Sequence, residues 1–174
     1  MTARSVHSRA RLDASRGFTL VELMVVTTII GLLSSVAVPG YQRMMLRTRS
    51  AERSVILPAI ARAAQDLITQ KGQFPSTFIG VANPPGTPTT YKRTLTQGQP
   101  GWKDIDLLIE GGLYYSYSFV GSNTPIISLT VTADGDLDGD GVLSTKVIQY
   151  SVSNGAMIPM SETPPPGQED LLTF

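Results

Sequence analysis

An apolar run extends from Phe18 to Val38 and reads FTLVELMVVTTIIGLLSSVAV. As a helix these 21 residues would be about 32 Å long, close to the ~30 Å thickness of the hydrocarbon core of a membrane. Glu22 is the one ionisable side chain in the run. A carboxylate at that depth costs roughly 2.5–3.5 kcal/mol. The run therefore predicts a transmembrane helix in which the Glu22 carboxylate is paired with another group or has a specific function.

Two ordinary interpretations compete for this run. It could be a plain single-pass anchor, or it could be the apolar part of a secretory signal peptide with the small residues Ser35 and Ala37 before the cleavage point. Neither explains a carboxylate near the start of the run, and the run is long for a signal peptide. The composition of the run alone leaves the choice open.

The junction upstream of the run favours a more specific interpretation. The residues from Arg16 to Leu23 read RGFTLVEL, which resembles the processing site of the type IV pilin superfamily, a group that includes pilins and secretion-system pseudopilins. The resemblance implies that residues 1–17 are a leader, that a prepilin peptidase cuts after Gly17, and that the new N-terminal residue, Phe18, is N-methylated. It also implies that Glu22 is retained for assembly.

Filament assembly gives the Glu22 carboxylate a purpose. Cleavage would create a positive amino group on Phe18, one turn from Glu22, and each Glu22 could neutralise the amino group of an adjacent subunit. A buried charge that is costly alone then sets the register of the assembled bundle. The implied partners are other pilin subunits, the prepilin peptidase, an inner-membrane assembly platform and membrane lipid. The implied location is the inner membrane before assembly and a periplasmic or cell-surface filament after it.

The composition argues against most enzymes. The chain has no cysteine and one histidine, His7, so disulfides, thiolate metal sites and a Ser-His-Asp relay are excluded or disfavoured. Lys+Arg and Asp+Glu are both 14, so the formal net charge is zero. The chain therefore has no overall positive charge that would indicate nucleic acid as a partner. We expect a structural protein and not an enzyme.

The helix is expected to continue past the transmembrane and assembly segment, residues 18–40. Residues 41–72 predict an amphipathic continuation that ends at a basic last turn and a glycine. Kinks are predicted at Pro39-Gly40, where the helix should bend or locally melt, and a gentler one at Pro58. One buried stripe is predicted from the helical spacing of four apolar residues: Ile56, Ile60, Ala63 and Leu67.

Four arginines cluster just past the apolar run, at positions 43, 47, 49 and 53. The favoured interpretation is a solvated helix face. The alternatives are contacts with lipid headgroups, with acidic neighbours in a filament, or with DNA.

The C-terminal half predicts a small antiparallel sheet after a long loop. Residues 73–112 are interpreted as a connecting αβ-loop with a short helical turn near 103–109, and 161–174 as a Pro-rich tail. The fold class is therefore α+β, a long N-terminal helix, transmembrane in its first half, packed on an antiparallel sheet head, as in pilins. The sheet, 113–160, is predicted from alternation in Tyr114–Val120, Ile126–Thr132 and Lys146–Val152, with a last edge segment at Met157–Met160.

An acidic loop, residues 134–144, separates the second and third predicted strands. Read from Asp136, it fits the first nine positions of an EF-hand-type loop, although Val147 stands where the bidentate Glu is normal and the flanking helices are missing. A polar Asp-Gly turn is the alternative to a Ca²⁺ site. The candidate Ca²⁺ ligands are Asp134, Asp136, Asp138, Asp140, the carbonyl of Val142, and Ser144.

These observations predict a structural subunit of a type IV pilus or pilus-like filament. A pseudopilin of a type II secretion system is the first alternative, because the chain lacks the disulfide common in the family and carries the acidic loop. A minor pilin is another. From a different class, a secreted protein cut after Ala37 or an anchored binding module would also carry an apolar N-terminal run.

Overall fold

The structure, a computed structural model, describes residues 17–164. Most of the leader, residues 1–16, and the last ten residues of the expected tail lie outside this range. The described part contains one α-helix, one short 3₁₀ turn at Trp102–Asp104 and seven strands. These are α1 (Leu20–Lys71), β1 (Phe78–Asn83), β2 (Arg93–Thr94), β3 (Gly112–Leu113), β4 (Ser116–Ser122), β5 (Ser128–Gly135), β6 (Ser144–Ser153) and β7 (Ala156–Thr163).

Helix α1 runs without interruption through Pro39, Gly40 and Pro58. The local melting considered for Pro39-Gly40 therefore does not occur, because a proline removes only one amide donor and the rest of the hydrogen-bond ladder continues. The bends at these positions stay predictions. The helix ends as expected: Gly72 has a φ of 76°, and its N–H donates to the Ile68 carbonyl at 2.7 Å.

The chain divides into two compact units at Tyr41/Gln42, close to the boundary expected at 40/41. In the first unit, every described residue from Gly17 to Tyr41 is exposed. Within residues 17–164, α1 is the one helix long and apolar enough to cross a membrane.

The second unit packs residues 42–71 of α1 on a five-stranded antiparallel sheet in the order β1-β4-β5-β6-β7. A separate two-stranded sheet joins β2 to β3. The core lies between α1 and one face of the larger sheet, where the predicted alternation is confirmed at Tyr115, Tyr117 and Phe119. The helical stripe is confirmed at Ile60, Ala63 and Leu67, whereas Ile56 is only partly buried and its neighbour Leu57 is fully buried. Helix and sheet together form the α+β architecture expected from the sequence.

Two expectations about the sheet were wrong. The expected loop 73–112 contains strand β1, which pairs with β4, and the strands β2 and β3. The sheet also extends past residue 160, because β7 pairs with β6 as far as Thr163. The expected helical turn near 103–109 is present one residue earlier and shorter, as Trp102–Asp104.

Candidate functional sites

The first turn of α1 is closed by Thr19 and Glu22. The Thr19 N–H donates to Glu22 Oε2 at 2.9 Å, the Thr19 hydroxyl donates to the same oxygen at 2.7 Å, and the Glu22 N–H donates to Thr19 Oγ1 at 3.2 Å. This reciprocal pattern is a capping box, which satisfies amide donors that the first turn of a helix leaves open. This role of Glu22 was not predicted, although the spacing Thr-x-x-Glu signals it.

The residues expected to flank the cleavage site are accessible, and the described residues of the segment after them are exposed. Gly17 is exposed and Phe18 is 72% exposed, next to a continuous apolar surface that runs along α1 to Tyr41. Apolar patches of this size mark a surface that contacts a membrane or other protein chains. The peptide bond between Gly17 and Phe18 and the apolar surface of α1 after it are therefore both accessible.

The hairpin between β5 and β6 brings three carboxylates of the acidic loop together. One oxygen each from Asp136, Asp138 and Asp140 lies within 4.8 Å of the others. Asp136 is buried, and its two oxygens accept the N–H groups of Gly139 at 2.7 Å and Gly141 at 3.3 Å. The loop therefore folds around Asp136, while Asp138 and Asp140 face solvent.

Two of the expected Ca²⁺ ligands lie elsewhere. Asp134 is part of β5, outside the three-carboxylate group, and its carboxylate accepts a hydrogen bond from the Thr145 hydroxyl at 2.6 Å. Ser144 begins β6, is buried, and accepts a hydrogen bond from Arg53 at 3.0 Å. Both side chains are held by the sheet and α1 because β5 and β6 pair up to Gly135 and Ser144. For Val142 the structure shows an N–H that donates to Asp140 at 2.7 Å.

Comparison with known proteins points to type IV pilins. Residues 12–38 match the family model described as the prokaryotic N-terminal methylation motif. The chain is also 38% identical over 72 residues to the type IV major pilin protein PilE1 of Neisseria gonorrhoeae, covering 40% of this chain and 44% of that protein. These matches support assignment of the chain to the type IV pilin superfamily.

Other members of the superfamily show the same partial similarity. The type IV major pilin protein PilA of Myxococcus xanthus is 33% identical over 87 residues, which cover 48% of this chain and 39% of PilA. A fimbrial protein of Pseudomonas aeruginosa is 39% identical over 59 residues, which cover 34% of this chain and 38% of that protein. The chain thus spans less than half the length of these relatives. No solved structure matches it significantly.

Two charged residues of α1 join the helix to the sheet. Arg53, which the sequence placed on a solvated face, is only 2% exposed, and its guanidinium lies 5.7 Å from the centre of the Tyr115 ring. Glu52 accepts the N–H groups of Tyr114 and Tyr115 and, at 2.9 Å, the hydroxyl of Tyr117. Burial, together with the nearby Glu52 carboxylate, raises the pKa of Tyr117 well above its usual range.

Proposed function

We propose that the chain is the structural subunit of a type IV pilus or pilus-like filament. It is inserted in the inner membrane, cut between Gly17 and Phe18 by a prepilin peptidase, methylated on Phe18, and assembled through α1. The observation that carries this proposal is the fully exposed apolar segment of α1 behind an accessible cleavage motif. A segment of this kind needs lipid before assembly and other copies of itself afterwards.

The geometry at Glu22 supports the assembly step. Both hydrogen bonds that the carboxylate accepts end on Oε2, and within residues 17–164 nothing donates to Oε1. The box fixes the side chain near the start of α1 and leaves one oxygen for the amino group of an adjacent subunit. In the apolar surroundings of a helix bundle such a pair is costly to break, so it favours one register between subunits.

Processing is tested with two substitutions at Gly17. Gly17→Glu should block cleavage, because the site needs a small residue before Phe18, whereas the matched control Gly17→Ala should still be processed by some peptidases. Mass spectrometry of the purified wild-type protein should show loss of residues 1–17 and the gain of one methyl group. Loss of residues 1–37 would identify a secreted protein instead, and mature-sized Gly17→Glu protein would contradict the cleavage site.

Assembly is tested by separating the cap of α1 from the charge of Glu22. Glu22→Gln keeps a capping-box side chain but removes the charge, and Thr19→Ala removes the cap but keeps the charge. Both variants should insert in the membrane, because Glu22→Gln removes a costly carboxylate and Thr19→Ala adds no charge. The amount of Glu22→Gln protein in sheared filament preparations should fall strongly, and the amount of Thr19→Ala protein should fall less. Wild-type incorporation of Glu22→Gln would contradict the pairing argument.

A pseudopilin of a type II secretion system is the second candidate. The absence of cysteine and the acidic loop between β5 and β6 favour it. Deleting the assembly platform of each system separately distinguishes the two, because the chain should enter filaments only when its own platform is present.

We also propose that the acidic loop binds one Ca²⁺ through Asp136, Asp138 and Asp140. Three carboxylate oxygens within 4.8 Å suit a hard cation that takes six to eight oxygen ligands in flexible geometry. The residues fit the ion only in part, because the hydroxyl of Ser144 is hydrogen-bonded to Arg53 and Val147 supplies no carboxylate. Waters would have to complete the shell, so the affinity should be modest.

A further inference from the structure

A cationic pocket lies beside α1, next to the contact of Glu52 with Tyr114. It has a volume of about 430 Å³. Its walls come from residues 45–52 of α1, from the segment before β2 and from the start of the β4 region. The lining residues are Met45, Thr48, Arg49, Glu52, Lys92 and Tyr114.

Two cations of this pocket share one aromatic ring. The Arg49 guanidinium carbon lies 5.0 Å, and the Lys92 Nζ 5.3 Å, from the centre of the Tyr114 ring. Within residues 17–164 neither cation forms an ion pair or donates a side-chain hydrogen bond, so the ring is their main partner. At an exposed site, the attraction of a cation to an aromatic face is weak. A charge-assisted hydrogen bond to an anion is stronger.

The carboxylate in the pocket does not neutralise both cations. Glu52 is already oriented by the N–H groups of Tyr114 and Tyr115 and by the hydroxyl of Tyr117. Two cations and one carboxylate leave one net positive charge, which a monoanion would balance. Gly112 leaves space beside the pocket, because a Cβ there would meet the Cβ of Lys92.

We propose that this pocket binds a phosphodiester, the group present in a phospholipid headgroup or in a soluble glycerophosphodiester. A phosphodiester carries one negative charge. Its oxygens suit the planar fork of Arg49 and the point charge of Lys92. The Thr48 hydroxyl donates its hydrogen to the Met44 carbonyl at 3.0 Å, so Arg49 and Lys92 are the two donors to the phosphodiester. The exposed side chain of Met45 offers an apolar contact for the attached chain. The inference does not depend on filament assembly.

The experiment uses the full chain in a maltoside detergent, which contains no phosphate. Glycerophosphoglycerol is titrated while the ring resonances of Tyr114 are followed by NMR, and the same resonances are recorded in nanodiscs of phosphatidylglycerol. The wild type should show a saturable shift. Arg49→Gln and Lys92→Gln should each weaken binding about tenfold, the loss expected for one charge-assisted hydrogen bond.

Arg43→Gln and Lys71→Gln are the matched controls, since both residues are exposed and outside the pocket, and each should change binding less than twofold. Unchanged amide resonances of β5 and β6 show that each variant is folded. If the Tyr114 resonances shift in phosphatidylglycerol nanodiscs and not with glycerophosphoglycerol, the ligand is a lipid headgroup. If they shift only with glycerophosphoglycerol, the ligand is a soluble diester. No saturable shift with either probe, or an equal loss in Arg43→Gln and Arg49→Gln, would overturn the proposal.

Discussion

Two carboxylates on α1 are held by backbone N–H groups. Glu22 accepts the N–H of Thr19, and Glu52 accepts those of Tyr114 and Tyr115. An N–H group bound to a carboxylate makes a stronger bond than one bound to a neutral oxygen. Each carboxylate therefore fixes a segment of backbone, the first turn of α1 in one case and the approach to β4 in the other.

The Tyr117 hydroxyl gives a test of the Glu52 contact. Tyr117→Phe should lower the free energy of unfolding at neutral pH by about 1.5–3 kcal/mol, because a buried hydrogen bond to a charged group is lost. The raised pKa of Tyr117 means that the folded state keeps the proton longer than the unfolded state. The protonated Tyr117 hydroxyl therefore makes its full contribution to the free energy of unfolding below the unfolded pKa of about 10. That contribution decreases as the pH rises above this value.

Urea unfolding at about pH 7 and again above pH 10 measures both effects of this substitution. The fall in stability between the two pH values should be smaller in Tyr117→Phe than in the wild type. It should not vanish, because burial also raises the pKa of Tyr150. The exposed Tyr91 provides the control, since Tyr91→Phe should change neither quantity. An alkaline slope in Tyr117→Phe as steep as that of the wild type would contradict the argument.

Among the elements, the segment between α1 and β3 shows where sequence patterns are insufficient. Strand β1 reads FIGVAN, too short and too interrupted by Gly80 to signal a strand, and its partner β4 comes more than thirty residues later. Gly80 is required there because the Phe119 ring occupies the position of a Cβ. Strands β4, β5 and β6, in contrast, carry local alternation, and their predicted positions are correct to within a few residues.

The segment is fixed by side-chain bonds that no periodicity reveals. Asn83 is 1% exposed, and its amide donates to the Thr96 carbonyl at 3.0 Å and accepts the Thr96 N–H at 2.8 Å. The Trp102 indole donates to the Val81 carbonyl at 2.7 Å. The part of the expected loop that follows β1 is therefore an ordered layer of strands and turns attached to that strand.

Asn83→Ala tests this attachment. It leaves the Thr96 N–H and carbonyl without their partner, so we expect a loss of about 1–3 kcal/mol in the free energy of unfolding. Hydrogen exchange at the Thr96 amide should become much faster, while exchange in β5 and β6 should change only with the global stability. The exposed neighbour Gln97→Ala should leave both measurements unchanged. Unaltered exchange at Thr96 in Asn83→Ala would show that other contacts fix the segment.

Across the whole molecule, the features that could be predicted are those formed by residues close together in the sequence. The cleavage motif lies within eight consecutive residues, from Arg16 to Leu23, and the three carboxylates of the acidic loop lie within five, so each is visible in the chain itself. The cationic pocket was not predictable, because Arg49, Lys92 and Tyr114 come together only after α1 packs on the sheet. The burial of Arg53 was missed for the same reason.

The acidic loop bears on the stability of the second unit because it closes the β5–β6 hairpin in a chain without cysteine. A cation that binds only the folded loop would stabilise the protein by about 2.7 kcal/mol at a hundredfold excess over its dissociation constant. The full chain in detergent should therefore have a higher Tm in millimolar Ca²⁺ than in chelator. Mg²⁺ should substitute poorly, because it dehydrates reluctantly and demands a stricter geometry.

Asparagine substitutions identify the residues responsible for any Ca²⁺ effect. Asp138→Asn combined with Asp140→Asn keeps side chains that can accept the loop's own N–H groups but removes two charges, and it should abolish the Tm difference. Asp134→Asn is the matched control, because Asp134 lies outside the three-carboxylate group and the difference should persist. If millimolar Ca²⁺ leaves both the Tm and the proteolysis of the loop unchanged in the wild type, the loop is a polar turn. In that case the N–H bonds to Asp136 are enough to fold it.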